Sequence, residues 1–305
     1  MFQNGKFTEK DLEIERGNII EEINMYEDSP SDIVWNYVHS NIYHGNPLER
    51  PIIGYKKTLE KMKREDLLQF LQTNYLQDDC LIVSVGKFDI ERTKQNIQNN
   101  LNPRKSGKLS IEKAKFEPQE KINFHNKNEV NQTHLVMSFP GVETSSPEIY
   151  QYSILEEILG GGMGSLLFSE IREKLGIAYY VGASHYDYED TGSFHIYFGA
   201  NLDKTPMGVE KVFEILKKVK EKGISDHDLV RAKNYFFSAT AMAHQSISYL
   251  GQKYGLEYLI QGKVEEIEEI RQKIYAVTKK DIQRIANKIF DENYNITYIA
   301  NKKML

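Results

Sequence analysis

The sequence predicts an α+β fold, with strands gathered into a sheet and helices packed on one face. Three observations carry this. Long amphipathic segments fill about 204–289, a hairpin rich in Tyr, Val, Phe and Ile spans 177–200, and short apolar runs near 121–126, 133–139 and 295–300 have the length of strands. At 305 residues the chain suits two domains better than one.

Taken in order, residues 8 to 44 read as helix. Thr8 suits an N-cap, and Asp11 and Glu13 suit a first turn. Leu12, Ile19, Ile23 and Tyr26 form an apolar stripe. Pro30 breaks or restarts the helix, and Ile33, Val34, Tyr37 and Val38 continue an apolar face. Asn46-Pro47 and Arg50-Pro51 mark a loop. Short helices near 57–63 and 64–76 precede a buried-type strand, Leu81 to Val85, ended by Gly86. Asp89 to Leu101 is helical again. Residues 102–120 turn polar, basic and aperiodic, which predicts a linker over about 106–117 between parts 1–105 and 118–305.

In the second part Ile149 to Leu159 is a helix stopped by Gly160-Gly161-Gly162. Another runs from Gly164 to Lys174, with Gly176 placed to cap it. The hairpin strands, Ile177 to Asp187 and Ser193 to Ala200, meet at a turn containing Asp190-Thr191-Gly192. Phe194, Ile196 and Phe198 alternate with His195 and Tyr197, which predicts one buried face. Helices over about 204–222, 226–247, 248–261, 263–275 and 278–289 lead to a last strand, Asn295 to Ala300.

Composition narrows the function. The chain is 40% hydrophobic and 27% charged with a net charge of -5, ordinary for a soluble globular protein. No basic stripe favours nucleic acid, and no apolar stretch is long enough to span a bilayer. The first residues hold no apolar segment of the signal-peptide kind. The lone cysteine, Cys80, sits in an apolar run and reads as a buried small hydrophobe rather than a nucleophile. It cannot make an internal disulfide, so a cytoplasmic setting is expected.

Two pairs of residues stand out. Glu15 and Glu22 are seven apart, so on a helix they lie within about 20° of each other. They border the apolar stripe, where a carboxylate is expensive to desolvate without a cation, a metal or donors. Pattern alone favours a solvated acidic helix. Arg172 and Tyr179 flank the Gly176 turn at a helix–strand corner, where they could polarise a carbonyl. Pattern alone favours a surface arginine and a half-buried tyrosine. The run Gly160-Gly161-Gly162-Met163-Gly164 lacks the Lys-Ser/Thr ending of a phosphate loop and follows a helix, so flexible backbone between two helices is the better account. The eight histidines form no H-x-x-E-H pair, and the hairpin register does not place His185 opposite His195.

Phe7 to Pro30 and the loop HGNPLERPIIGY, within Tyr43 to Tyr55, resemble the pitrilysin–insulinase–processing peptidase family of zinc peptidases, family M16. So does Ile158 to Gly199, which is similar to the signature of that family's second domain. The resemblance implies two related domains of mixed or antiparallel sheet with helices on one face. It matches Glu22 to a zinc-ligating glutamate, Glu15 to the supporting acid, and Arg172 and Tyr179 to the pair that reaches the scissile region of a peptide substrate. The family's H-x-x-E-H segment has no counterpart here, so the first domain is expected to be incomplete. Two histidine ligands and the base glutamate are then missing, and stable zinc binding by this chain alone is not expected. The resemblance therefore implies a catalytically incomplete peptidase, a subunit whose partner supplies H-x-x-E-H, or a peptide-binding module without hydrolysis. Residues 118–305 are expected to fold well, and the first part to be looser, to self-associate or to dock on another chain.

Overall fold

The computed structural model describes residues 5–75, 80–101, 107 and 112–305. Thr8 caps the first helix, its side chain accepting the Asp11 N–H at 3.2 Å, and α1 runs Glu9–Asp28. Helix α2 (Pro30–Ile42) starts with its proline in the first turn, where a missing N–H costs nothing. Pro30 therefore restarts the helix. The short α3 (Lys56–Leu59), α4 (Arg64–Asn74) and α5 (Ile90–Asn100) follow, and none buries a residue.

Among the described residues five strands form one mixed sheet. They are β1 (Ile122–Asn126), β2 (Gln132–Pro140), β3 (Ala178–Asp187), β4 (Gly192–Asn201) and β5 (Asn295–Ala300), in the order β1-β5-β2-β4-β3. β1 and β5 are parallel, and the other neighbours are antiparallel. His185 pairs with Phe194 and Ser184 with His195, so the two histidines are not opposite, as expected.

One face of the sheet carries Leu135, Met137, Phe139, Phe194, Ile196, Phe198 and Tyr298. Helices α6 (Ile149–Gly160), α7 (Thr205–Lys222) and α11 (Lys279–Ile289) cover it, with α8 (Asp226–Ala243) and α10 (Ile267–Ala276) packed outside α6. α9 (Ile247–Gln261) buries no residue. Each large side chain sealed here contributes about 2 kcal/mol. No helix among the described residues is long and apolar enough to cross a membrane.

The opposite face is covered too, by α2. Its Val34, Val38 and Ile42, with Tyr43, pack on Val136 and Ile299. His195 is therefore fully buried, and the single buried face expected for β4 becomes two. Residues 102–106 and 108–111 of the expected linker region lie outside the described residues. From 112 the chain follows α2: the Glu117 N–H donates to the Ile42 carbonyl at 3.0 Å, and the Ala114 N–H to Asp190 at 2.7 Å.

Three local expectations fail. Leu81 to Val85 forms no strand, and Ile82 and Val83 are exposed. A strand needs a neighbour for its backbone groups, and none lies beside it among the described residues. Cys80, in the same segment, is exposed rather than buried. The helix expected from Gly164 is π-helical over Phe168–Lys174.

Candidate functional site

The glycine run packs tightly. Arg231, from α8, donates to the carbonyl oxygens of Glu157 at 2.8 Å and Gly161 at 2.9 Å, closing the C-terminus of α6 with a cation. A Cβ on Gly160 would lie 1.9 Å from the Ala183 backbone nitrogen, and one on Gly164 would lie 2.9 Å from Arg231 Cδ. Close approach, rather than flexibility, explains these glycines.

This packing fixes the start of the next segment. The π-helical winding carries Arg172, whose guanidinium lies over the Phe168 ring at 4.8 Å. The Arg172 carbonyl accepts the Gly176 N–H at 3.2 Å, and Gly176 turns with φ 55°. The chain then enters β3. Ala178 pairs with Ala200 and Tyr180 with Gly199, so Tyr179 is the extra residue of a β-bulge. Tyr179 and Tyr180 are 54% and 67% exposed, large for aromatic side chains on a strand. Arg172 and Tyr179 thus both occupy irregular backbone, of the kinds that re-aim side chains at functional sites.

Glu15 and Glu22 lie exposed on α1. The helix is fixed by Arg16, which donates to the carbonyls of Leu59 and Met62. Glu22, but not Glu15, lines a cavity of about 820 Å³. Its walls are Trp35, Asn36 and His39 of α2, the loop Pro47 to Ile53, and Tyr188 after β3. Arg172 and Tyr179 are not in this lining. The Tyr188 hydroxyl meets His39 Nε2 at 3.3 Å, joining α2 to the hairpin at the cavity wall. Burial lowers the pKa of His39, keeping its ring neutral near pH 7. The sequence pattern points to the loop 44–55 but gives Trp35, His39 and Tyr188 no place in a site. Of the lining, Arg50 and its neighbours carry a signal, as part of the stretch that resembles the family.

Two carboxylates are displaced from their ordinary range behind the hairpin. Burial pushes Glu156 and Glu157 up to about 7, against the Arg231 charge in the second case. Glu156 accepts the His185 backbone N–H at 3.1 Å. The His185 ring is pushed down to about 4 by burial.

Catalytic zinc needs about three protein ligands. Among the described residues no three His, Cys, Asp or Glu converge. Glu22 brings one carboxylate to the cavity, and the Nε2 of His39 is engaged by Tyr188. These residues by themselves do not fit a zinc ion.

Comparison with known proteins agrees with the fold and the sequence pattern. Residues 61–236 match the model described as "Peptidase M16 inactive domain", and residues 1–56 match "Insulinase (Peptidase family M16)". An "Uncharacterized zinc protease" of Rickettsia felis is 33% identical over 95% of this chain and 70% of its own length. A "Probable mitochondrial-processing peptidase subunit beta" of Arabidopsis thaliana is 24% identical over 98% of this chain and 59% of its own. The crystal structure of a peptidase M16 inactive domain from Pseudomonas fluorescens superposes with a TM-score of 0.89 at 18% identity, covering 99% of this chain and 73% of that one. The chain belongs to the peptidase M16 (insulinase) family.

Proposed function

We propose that this chain grips extended peptides for hydrolysis at a zinc centre whose other ligands come from a polypeptide segment outside its 305 residues. In this reading residues 1–105 supply Glu22, with Glu15 in support, residues 118–305 supply Arg172 and Tyr179, and 106–117 join them. One observation carries it: Arg172 on a π-helix and Tyr179 on a β-bulge, seven residues apart, both exposed. β3 pairs only with β4 among the described residues, which supports the addition of an extended peptide along its outer edge. The absence of H-x-x-E-H from the sequence supports catalytic incompleteness of the chain on its own. The name of the Arabidopsis relative, a subunit, supports a partner as the source of that motif.

The test is binding of a fluorescent unstructured peptide to the purified chain, with and without a chelator. Binding that ignores the chelator, and that Arg172→Ala or Tyr179→Ala weakens about tenfold, is expected. Cleavage restored by mixing in an H-x-x-E-H-bearing family member identifies the partner arrangement. Peptide cleavage by the chain alone, or no peptide binding, overturns the reading.

A further inference from the structure

The sheet face beneath α2 is unusual for a buried surface, because three of its strands each present a histidine there. His125 on β1 stacks on Tyr37 of α2, with ring centroids 3.6 Å apart and planes 4° from parallel. His134 on β2 meets the Tyr197 hydroxyl at 2.9 Å, and Tyr197 lies against Trp35. His195 on β4 is fully buried between Ser138 Oγ at 2.9 Å and Ser193 Oγ at 2.8 Å. The Trp35 ring stands edge-on to it at 5.3 Å. The Tyr43 hydroxyl, beyond the end of α2, donates to the same Ser193 oxygen at 3.0 Å.

We propose that this seam is an acid-sensitive latch: protonation of His125, His134 and His195 releases α2 from the sheet, while the helices on the opposite face stay in place. The geometry gives each new cation a poor setting. His125 Nε2 is buried with no hydrogen-bond partner among the described residues, so a cation there would hold an unsatisfied N–H, and His195 would carry its charge sealed from solvent among serines and aromatic edges. The carboxylates facing the seam are few: Asp32 of α2 acts on His134 and Tyr197, and Glu120 acts on His125. Glu27 of α1 faces Tyr37, and Asp190 of the hairpin turn faces Tyr43. Tyr186 and Tyr188 face it from β3 and beyond, with Glu156 acting on the first and Asp187 on the second. His39 of α2 and His185, from the other face, add like charge against His195 rather than relief.

Burial outweighs these carboxylates at His125 and His134, whose pKa values are lowered, and burial with the like charge of His39 and His185 holds His195 well below its ordinary value. The sign follows directly. The undocked state takes up protons first, so docking free energy is fully present above about pH 6.5 and is lost as pH falls through the lowered values. The inference concerns how the two parts are held together and does not depend on peptide binding.

Trp35 is the only tryptophan in the chain, so its fluorescence reports this seam. Titration from about pH 8 to about pH 5 is expected to move its emission to longer wavelength. The double variant His125→Phe, His134→Gln, which keeps a stacking ring and a hydrogen-bonding group, is expected to shift that midpoint to lower pH. Hydrogen exchange on the unmutated chain, corrected for intrinsic rates, provides a second measurement. At about pH 5, α2 is expected to lose protection while α6 and α11 keep theirs. Emission that stays constant, a midpoint unmoved by the double variant, or simultaneous loss of protection in α2, α6 and α11 would each overturn the latch.

Discussion

Asn41 and Glu120 are bound to each other in both directions: Asn41 Nδ2 donates to the Glu120 carbonyl and the Glu120 N–H donates to Asn41 Oδ1, each at 3.0 Å. The amide thus stands in for a backbone partner and ties the end of α2 to the strand entering β1. Asn41→Ala leaves the Glu120 N–H without this acceptor. It is expected to cost about 1–3 kcal/mol by chemical denaturation. Asn41→Asp, which cannot donate to the carbonyl when ionised, is expected to cost more. Equal stability of both variants and the parent would contradict this placement.

The glycine run gives a ranking. Gly160→Ala brings a methyl 1.9 Å from the Ala183 nitrogen, so α6 or β3 must shift, at about 3 kcal/mol or more. Gly162→Ala meets the Tyr235 ring at an ordinary contact distance of 3.5 Å, and costs only the strain of φ +73°, about 1 kcal/mol. Thermal melts of the two variants should differ accordingly, and similar melting temperatures would refute the close packing.

Glu157 Oε2 is buried and has no hydrogen-bond partner among the described residues, and burial raises its carboxyl to about 7. A carboxyl raised on folding contributes stability that is present below its unfolded value and is lost as pH rises through the folded one. Glu157→Gln should therefore stabilise the protein at about pH 8, by about 1–2 kcal/mol after allowance for screening, and should have little effect near pH 4. Urea titrations at the two pH values measure this. A gain at acid pH instead would reverse the assignment.

Metal analysis offers a fourth check. If Glu22 is the chain's sole contribution to a zinc site, the purified chain retains well below one equivalent of zinc after dialysis. Glu22→Gln then leaves both that content and the melting temperature unchanged. Stoichiometric zinc lost in Glu22→Gln would mean that further ligands converge within the chain.

The sequence showed the helices and the hairpin clearly because their periodicities are long and their caps explicit: Thr8, Pro30 and Gly176 all do what their chemistry suggests. Leu81 to Val85 misled, since its apolar β-branched residues describe an affinity for a neighbouring strand and cannot show whether one is present. Burial of His195 was equally hidden. It follows from α2 lying over the second face of the sheet, a contact between residues more than a hundred apart. Arg172 and Tyr179 stand out in the sequence at a helix–strand corner, and only family resemblance suggests a role for them. The π-helix and the bulge that carry them have no signature in local propensity, because both are one-residue accommodations to packing.

A π-helical turn holds more residues than an α-helical one. Removing a single residue before Arg172 in the Phe168–Lys174 stretch would let the winding relax to the ordinary pitch while the guanidinium keeps nearly its present direction, because the wider turn has absorbed that residue. The direction of this arginine is thus less sensitive to the loss of a residue there than it would be in a regular helix, where the same deletion would swing it by about 100°.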